Sequence, residues 1–255
     1  MLLVVDNSGS MIDEQLLLSS TATNIIDGLD TYSTDYSISV ITTDSAIATG
    51  IPVTPFSTDP VGDLSDQIMV GINGSANEMG IWASITATSS GGFLEPSAGL
   101  MRLDATFVVV WLSDENDSSA GDLATWSTHF WNLKSAPSDV LGWAIVTDDT
   151  TCGGLGYIGT DYINLSQTLG GDVTSICTGD FKQAFMMIAE QAGTHTTFLL
   201  SQIPITETIE VWVDGIESLH WVYIINSNEI AFDPGYVPST GSYVKVKYGI
   251  ASSCE

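Results

Sequence analysis

Basic residues are almost missing from this chain. Five lysines and arginines stand against thirty-one aspartates and glutamates in 255 residues, a formal charge of −26. Nucleic-acid binding needs a basic footprint, so it is excluded as an expectation, and docking on an anionic membrane surface is disfavoured for the same reason. Divalent cations and basic partners are favoured instead, although a solvated acidic surface suited to salty surroundings explains the bulk charge equally well. Histidine is scarce and scattered (His129, His195, His220), which speaks against a hydrolytic zinc site built from clustered ligands. No apolar run approaches the ~18 residues that span a bilayer, so no membrane insertion is expected. The strongest run, Phe107 to Leu112, is strand-sized. A GxSxG elbow and a phosphate-binding glycine loop are both missing, as are internal repeats and low-complexity tracts.

Cysteines number three. Cys152 and Cys177 flank a glycine-rich segment, where they read either as a bridge or as two buried thiols, and Cys254 is left over. A bridge would contribute roughly 3 kcal/mol and imply an oxidising compartment. No signal peptide is visible, and Met1 sits almost directly on the first strand, which suggests a trimmed fragment or an internal start.

What is present is a sizeable core in alternating elements. Hydrophobic residues make up 44%. LLVV at the start reads as a buried strand, followed by a helix from about Ile12 to Leu29 whose stripe is Leu18, Ala22, Ile25 and Leu29. SISVITTD alternates as a strand, Gly50 to Gly62 reads as loop and edge strand, and DLSDQIMVGI and NEMGIWASITAT read as helices. ATFVVVWL is continuously apolar, as a strand buried on both faces of a parallel sheet would be. A helix near Asp122 to Leu133, the strand LGWAIVTD, a short strand near Val173 and a helix capped by Asp180 with Gln183 follow.

This alternation predicts an α/β fold, a doubly wound and mostly parallel sheet flanked by helices, over residues 1–197. From residue 198 to 255 the grammar changes. IEVWVDG, WVYII, NEIAF and YVKVKYG alternate with period two between Asp-Gly, Asn-rich and Pro/Gly turns, predicting a small antiparallel β module.

One loop carries most of the chemistry. After LLVV come Asp6, Ser8 and Ser10 at every second position, one carboxylate and two hydroxyls at the carboxyl end of a strand, where open α/β sheets bind ligands. All are hard oxygen donors, suited to Mg²⁺, Mn²⁺ or Ca²⁺. The bland alternative, serines that merely cap the first helix, explains one serine and not the alternation.

VVDNSGSM resembles the DxSxS signature of von Willebrand factor A domains, the metal-ion-dependent adhesion site, and SDENDSS after the strongest strand resembles bacterial members in particular. The resemblance spans about residues 1 to 197. It implies a Rossmann-like sheet, Ser8 and Ser10 binding the ion directly, and Asp6 and Asp114 acting mostly through water. It also implies an acidic side chain of a protein partner completing the shell. The family's threonine in a second loop is replaced: GSANEMGI offers either the Ser75 hydroxyl or the Glu78 carboxylate, and the latter favours Ca²⁺ or weakens an acidic partner. Asp44 falls on the same rim, whereas Glu115 and Asp117 read as a solvated acidic loop.

A phosphatase of the haloacid-dehalogenase type needs a second carboxylate where Ser8 stands, so catalysis is not expected. Two readings remain: a metal-dependent adhesion or ligand-binding module, or a structural component of a larger assembly such as a virion, fibre or surface appendage. Both imply an extracellular, cell-surface or virion setting.

Overall fold

The computed structural model describes residues 1–32, 35–102, 105–149, 157–193, 197–225, 228–232, 236, 238 and 242–250. Cys152, Cys254 and His195 lie outside the described residues. Cys177 is disulfide-bonded. The chain divides into two compact units, Met1–Ala192 and Gly193–Glu255.

The first unit is built on five parallel strands: β1 (Leu2–Val5), β2 (Ser39–Thr42), β3 (Phe107–Ser113), β4 (Val140–Val146) and β5 (Val173–Ser175). Their order in the sheet is β2-β1-β3-β4-β5. The chain therefore leaves β1 in one direction and returns beside it at β3, so the strand order reverses between these two. That crevice is where such sheets place a ligand.

Helices cover both faces: α1 (Ile12–Ser20), α2 (Ala22–Tyr32), α3 (Pro60–Ile68), α4 (Gly80–Thr88), α5 (Leu123–Trp131), α6 (Thr160–Thr168) and α7 (Phe181–Gly193). Alternate strand residues feed two cores. Leu3, Val5, Val110 and Leu112 join Leu18, Ile25, Leu64, Phe181 and Phe185 on one side. Leu2, Val4, Val109 and Trp111 join Ile81, Phe130, Tyr162 and Leu165 on the other. Burial on both faces explains why β1, β3 and β4 read as unbroken apolar runs.

Two details depart from the sequence expectations. The first helix is two helices, broken at Thr21, whose backbone N–H and hydroxyl both donate to the Leu18 carbonyl, at 2.9 and 2.7 Å. A hydroxyl bonded back to its own turn competes with helix continuation. The stretch Gly50 to Gly62 contributes only a bridge, Val53 against Ile38, before α3 begins at Pro60 under the Asp59 cap. Asp122 and Asp180 accept from Thr125 and Gln183 backbone N–H groups (2.8 and 3.2 Å), capping α5 and α7.

The second unit holds two three-stranded antiparallel sheets, where the alternation alone suggested one module without dividing its strands. One is β6 (Thr197–Leu199), β10 (Glu229–Phe232) and β9 (Trp221–Ile224), in the order β6-β10-β9. The other is β11 (Val244–Lys247), β7 (Glu210–Val213) and β8 (Ile216–Ser218), in the order β11-β7-β8. Asp214 and Gly215, with φ of 51° and 82°, make the tight turn between β7 and β8, as Asp-Gly favours. Its buried apolar core is small: Leu200, Ile209, Val211, Ile230 and Phe232. Among the described residues, no helix is long and apolar enough to cross a membrane.

Candidate metal centre

The end of β1 delivers Asp6 to the reversal point. Its backbone N–H donates to the Leu112 carbonyl (2.9 Å), which fixes it against the end of β3. The side chain is fully buried. One carboxylate oxygen accepts from the Ser8 backbone N–H (2.7 Å) and the other from the Ser113 hydroxyl (2.6 Å). Burial pushes its pKa up, the bonds from Ser113 and Ser8 pull it down, and the Asp114 charge adds to the rise.

Ser8 is buried and Ser10 exposed, their hydroxyl oxygens 3.2 Å apart. Neither caps α1, whose N-terminus has no side-chain hydrogen bond. The capping alternative therefore accounts for neither hydroxyl. Asp114, half-buried just after β3, keeps one carboxylate oxygen buried and without a hydrogen-bond partner.

Ser75 and Glu78 differ sharply. Ser75 is exposed, and its hydroxyl oxygen accepts from the Asn77 N–H (3.0 Å), closing a local turn. Glu78 is fully buried, and neither carboxyl oxygen makes a hydrogen bond. Burial, then the charge of Asp6, push its pKa up to about 8, with the nearby Thr43 hydroxyl opposing the rise. Glu78 is thus the buried group of this loop that feels the Asp6 charge, while the Ser75 hydroxyl is exposed and spent on its own turn.

Several positioning residues carry no signal in the sequence reading. Gln15, buried on α1, donates to the carbonyls of Asp6 and Gly71 (2.8 Å each) and accepts from the Gly71 N–H (3.2 Å), tying the first loop to the loop before α4. Asn7 holds the same two loops: its carbonyl accepts from Gly74 N–H (2.8 Å), and a Cβ on Gly74 would lie 2.5 Å from the Asn7 side chain. A side chain there would have to push the Asn7 amide aside. Asp44 accepts from the Ser75 N–H (2.7 Å), so it does reach this rim.

The Asp114 loop is braced from two sides, and here one expectation is corrected. Asp117 is not solvated; it is buried and accepts from the Ile81 and Ser119 N–H groups (2.9 and 2.7 Å), closing the first turn of α4. Glu115 is half-buried, its pKa raised by burial and by Asp114 and Asp6. Asn116 donates to the Asp161 carboxylate (2.8 Å) and accepts from the Asp161 N–H (2.9 Å) at the start of α6.

The donor set fits a hard divalent cation. Buried acceptors with no donor are rare and costly, and Glu78 and Asp114, which hold such oxygens, are acids whose charge and that of Asp6 act on one another. All candidate ligands are oxygen. Among the described residues no three His, Cys, Asp or Glu form a metal cage by themselves, so the serine hydroxyls are needed to complete one.

No protein-family model matches the sequence, and no curated protein matches it. Solved structures do. A von Willebrand factor type A protein from Catenulispora acidiphila superposes with a TM-score of 0.50 at 15% identity, covering 97% of this chain and 58% of that one. Proximal thread matrix protein 1 from the mussel byssus gives 0.54 at 11%, covering 78% and 48%. The same mussel protein with a zinc-occupied MIDAS motif gives 0.52 at 10%, covering 80% and 49%. The chain thus spans about half the length of the solved structures it matches. The parallel sheet reversing at β1 and β3, its helices on both faces and these likenesses together give this chain a von Willebrand factor A-type α/β fold.

Proposed function

We propose that the first unit is a metal-dependent protein-binding module. Asp6, Ser8, Ser10 and Asp114 would hold a divalent cation, with Glu78 as the protein's remaining ligand. Bound there, the ion supplies an electrophilic position for a partner's oxygen atom. The observation that carries this reading is the set of buried carboxyl oxygens of Glu78 and Asp114 that no donor satisfies, set at the carboxyl edge of two adjacent central strands. Mg²⁺, Ca²⁺ and Mn²⁺ all suit an oxygen set. The disulfide-bonded Cys177 supports an oxidising, extracellular or surface setting.

A second reading has one observation in its favour. The mussel protein is a thread matrix protein whose MIDAS motif holds zinc, so a metal-bearing unit of this fold serves there in a matrix. By that reading this chain is a building block of a larger assembly, and the β module mediates packing or spacing. Calorimetric titration of Mg²⁺ and Ca²⁺ into the native chain and Asp6→Ala tests the site; equal heats from the two proteins would contradict it. Loss of partner binding on chelation favours the module, and indifference favours the building block.

A further inference from the structure

The second unit contains an unguarded sheet edge. Its two sheets end in four edge strands, β6 and β9 in one, β11 and β8 in the other. An edge presents a row of backbone N–H and C=O groups that pairs with any strand able to approach, and charge, brevity or proline normally prevents this. β11 reads Val-Lys-Val-Lys, with Lys247 against Glu210 at 3.3 Å and Lys245 over the Trp212 ring. β8 is three residues long and carries the exposed Glu217, and β6 is also three residues long. β9 has none of these guards. It reads Trp-Val-Tyr-Ile and, among the described residues, pairs with β10 alone.

The chemistry around β9 suits a strand like itself. Leu219 to Asn228 contains no Asp, Glu, Lys or Arg, in a chain with 31 acids. Trp221 and Tyr223 pack inward against the core that holds Ile230 and Phe232. Val222 and Ile224 turn the other way and are 54% and 36% exposed. The register sets Leu199, Glu229 and Ile224 in one row across the sheet, so Leu199, 63% exposed, shares that outer face, with Glu229 buried between the two.

We propose that β9 is a self-association edge: two copies of this chain join their β9 strands antiparallel across a two-fold axis, fusing two three-stranded sheets into one of six. An axis through Tyr223, perpendicular to the sheet, keeps each face on its own side. It sets each Val222 opposite the other copy's Ile224 on the outer face, a β-branched pair of the kind that stabilises sheets. Two chains of charge −26 repel, and paired strands lie only about 4.8 Å apart, so copies meet most readily where neither side carries charge. β9 meets that condition on both sides at once, whereas a basic partner gains nothing from an edge without acids. This association is separate from the ion site and adds a dimerisation step to either reading above.

The test uses the full chain in chelator, with near-ultraviolet circular dichroism to confirm the fold of each variant. Sedimentation velocity from low to high micromolar protein should show a monomer–dimer equilibrium that stops at two copies. Added NaCl should tighten it severalfold, because salt screens the repulsion between two acidic chains. Val222→Lys brings two lysines onto one face of the joined sheet and should weaken association roughly tenfold. Ile216→Lys, on β8 of the other sheet, should leave it at the native value. Amide hydrogen exchange across residues 221–224 of the native protein should slow as its concentration rises, a readout that needs no variant. A monomer at every concentration would overturn the inference and leave the edge to a strand of another protein. So would growth beyond two copies, weakening by salt, equal effects of the two lysine variants, or unaltered exchange across β9 in the dimer. Failure of the ion site would move none of these readouts.

Discussion

The two ends of the central sheet treat charge in opposite ways. At the amino end, Lys134 is buried and finds two backbone carbonyls, while Arg102 finds both the carboxylate and the carbonyl of Asp35. At the carboxyl end, Glu78 and Asp114 hold buried oxygens that meet no donor. Burying a charged group is costly unless it is paired, so the first end is arranged for stability. By the reading proposed above, the second leaves its pairing to an ion brought from outside. Among the described residues, the buried side-chain oxygens without a donor are Gln67 Oε1 on α3 and four carboxyl oxygens of Glu14, Glu78 and Asp114, so it is unmet charge that marks the site.

The sharpest way to break this comparison is pH. Burial and the Asp6 charge raise Glu78 from an ordinary 4.5 to about 8. A carboxyl whose folded pKa is raised contributes fully below its unfolded value and loses that contribution as pH rises through the folded one. In chelator, the protein should therefore lose stability between about pH 5 and pH 8, at most on the order of 4 kcal/mol. Urea unfolding across that range measures it, and Glu78→Gln should flatten the slope; an unaltered slope would show that Glu78 carries no such burden.

Restoring the ion should act next in size. Ca²⁺ at one hundred times its dissociation constant should add about 2.7 kcal/mol to the native protein at neutral pH. Asp6→Ala should gain nothing in the same thermal unfolding series. At the amino end, Lys134→Ala strips a donor from two carbonyls and should cost about 1–3 kcal/mol by urea unfolding. Its Ca²⁺ affinity should stay at the native value, and a change would mean that the ends are coupled. The smallest effect belongs to Arg102→Ala. Its ion pair with Asp35 is well exposed, so the loss should be under about 1 kcal/mol by the same measurement, shrinking further in high salt.

The sheet was legible because β1, β3 and β4 are buried on both faces and so are written as continuous apolar runs. Asp6 and Asp114 stood out because each follows such a run directly. The residues between them were harder. Asp117 lies in SDENDSS, a run that looks solvated, and only the fold brings the first turn of α4 over it. Gln15 sits on a helix where polar residues are ordinary, and nothing local says that its amide bridges two loops. Ser113 and Thr43 end apolar strands as small hydroxyl residues, a signal that was available; both point into the rim, one to Asp6 and one to Asn7. The choice between Ser75 and Glu78 depended on loop conformation, fixed by Gly74 against Asn7 and by Asp44. The break at Thr21 turned on one hydroxyl, which periodicity does not register.

The loop after β3 is anchored at three points: Thr147 donates to the Asp114 carbonyl (2.9 Å), Asn116 grips the start of α6, and Asp117 grips the start of α4. Such a loop has little conformational freedom left to surrender when a ligand arrives. Ion capture should then resemble a key entering a cut lock, fast and with a backbone that hardly stirs, so that the free energy of association goes into holding the guest and not into shaping its seat.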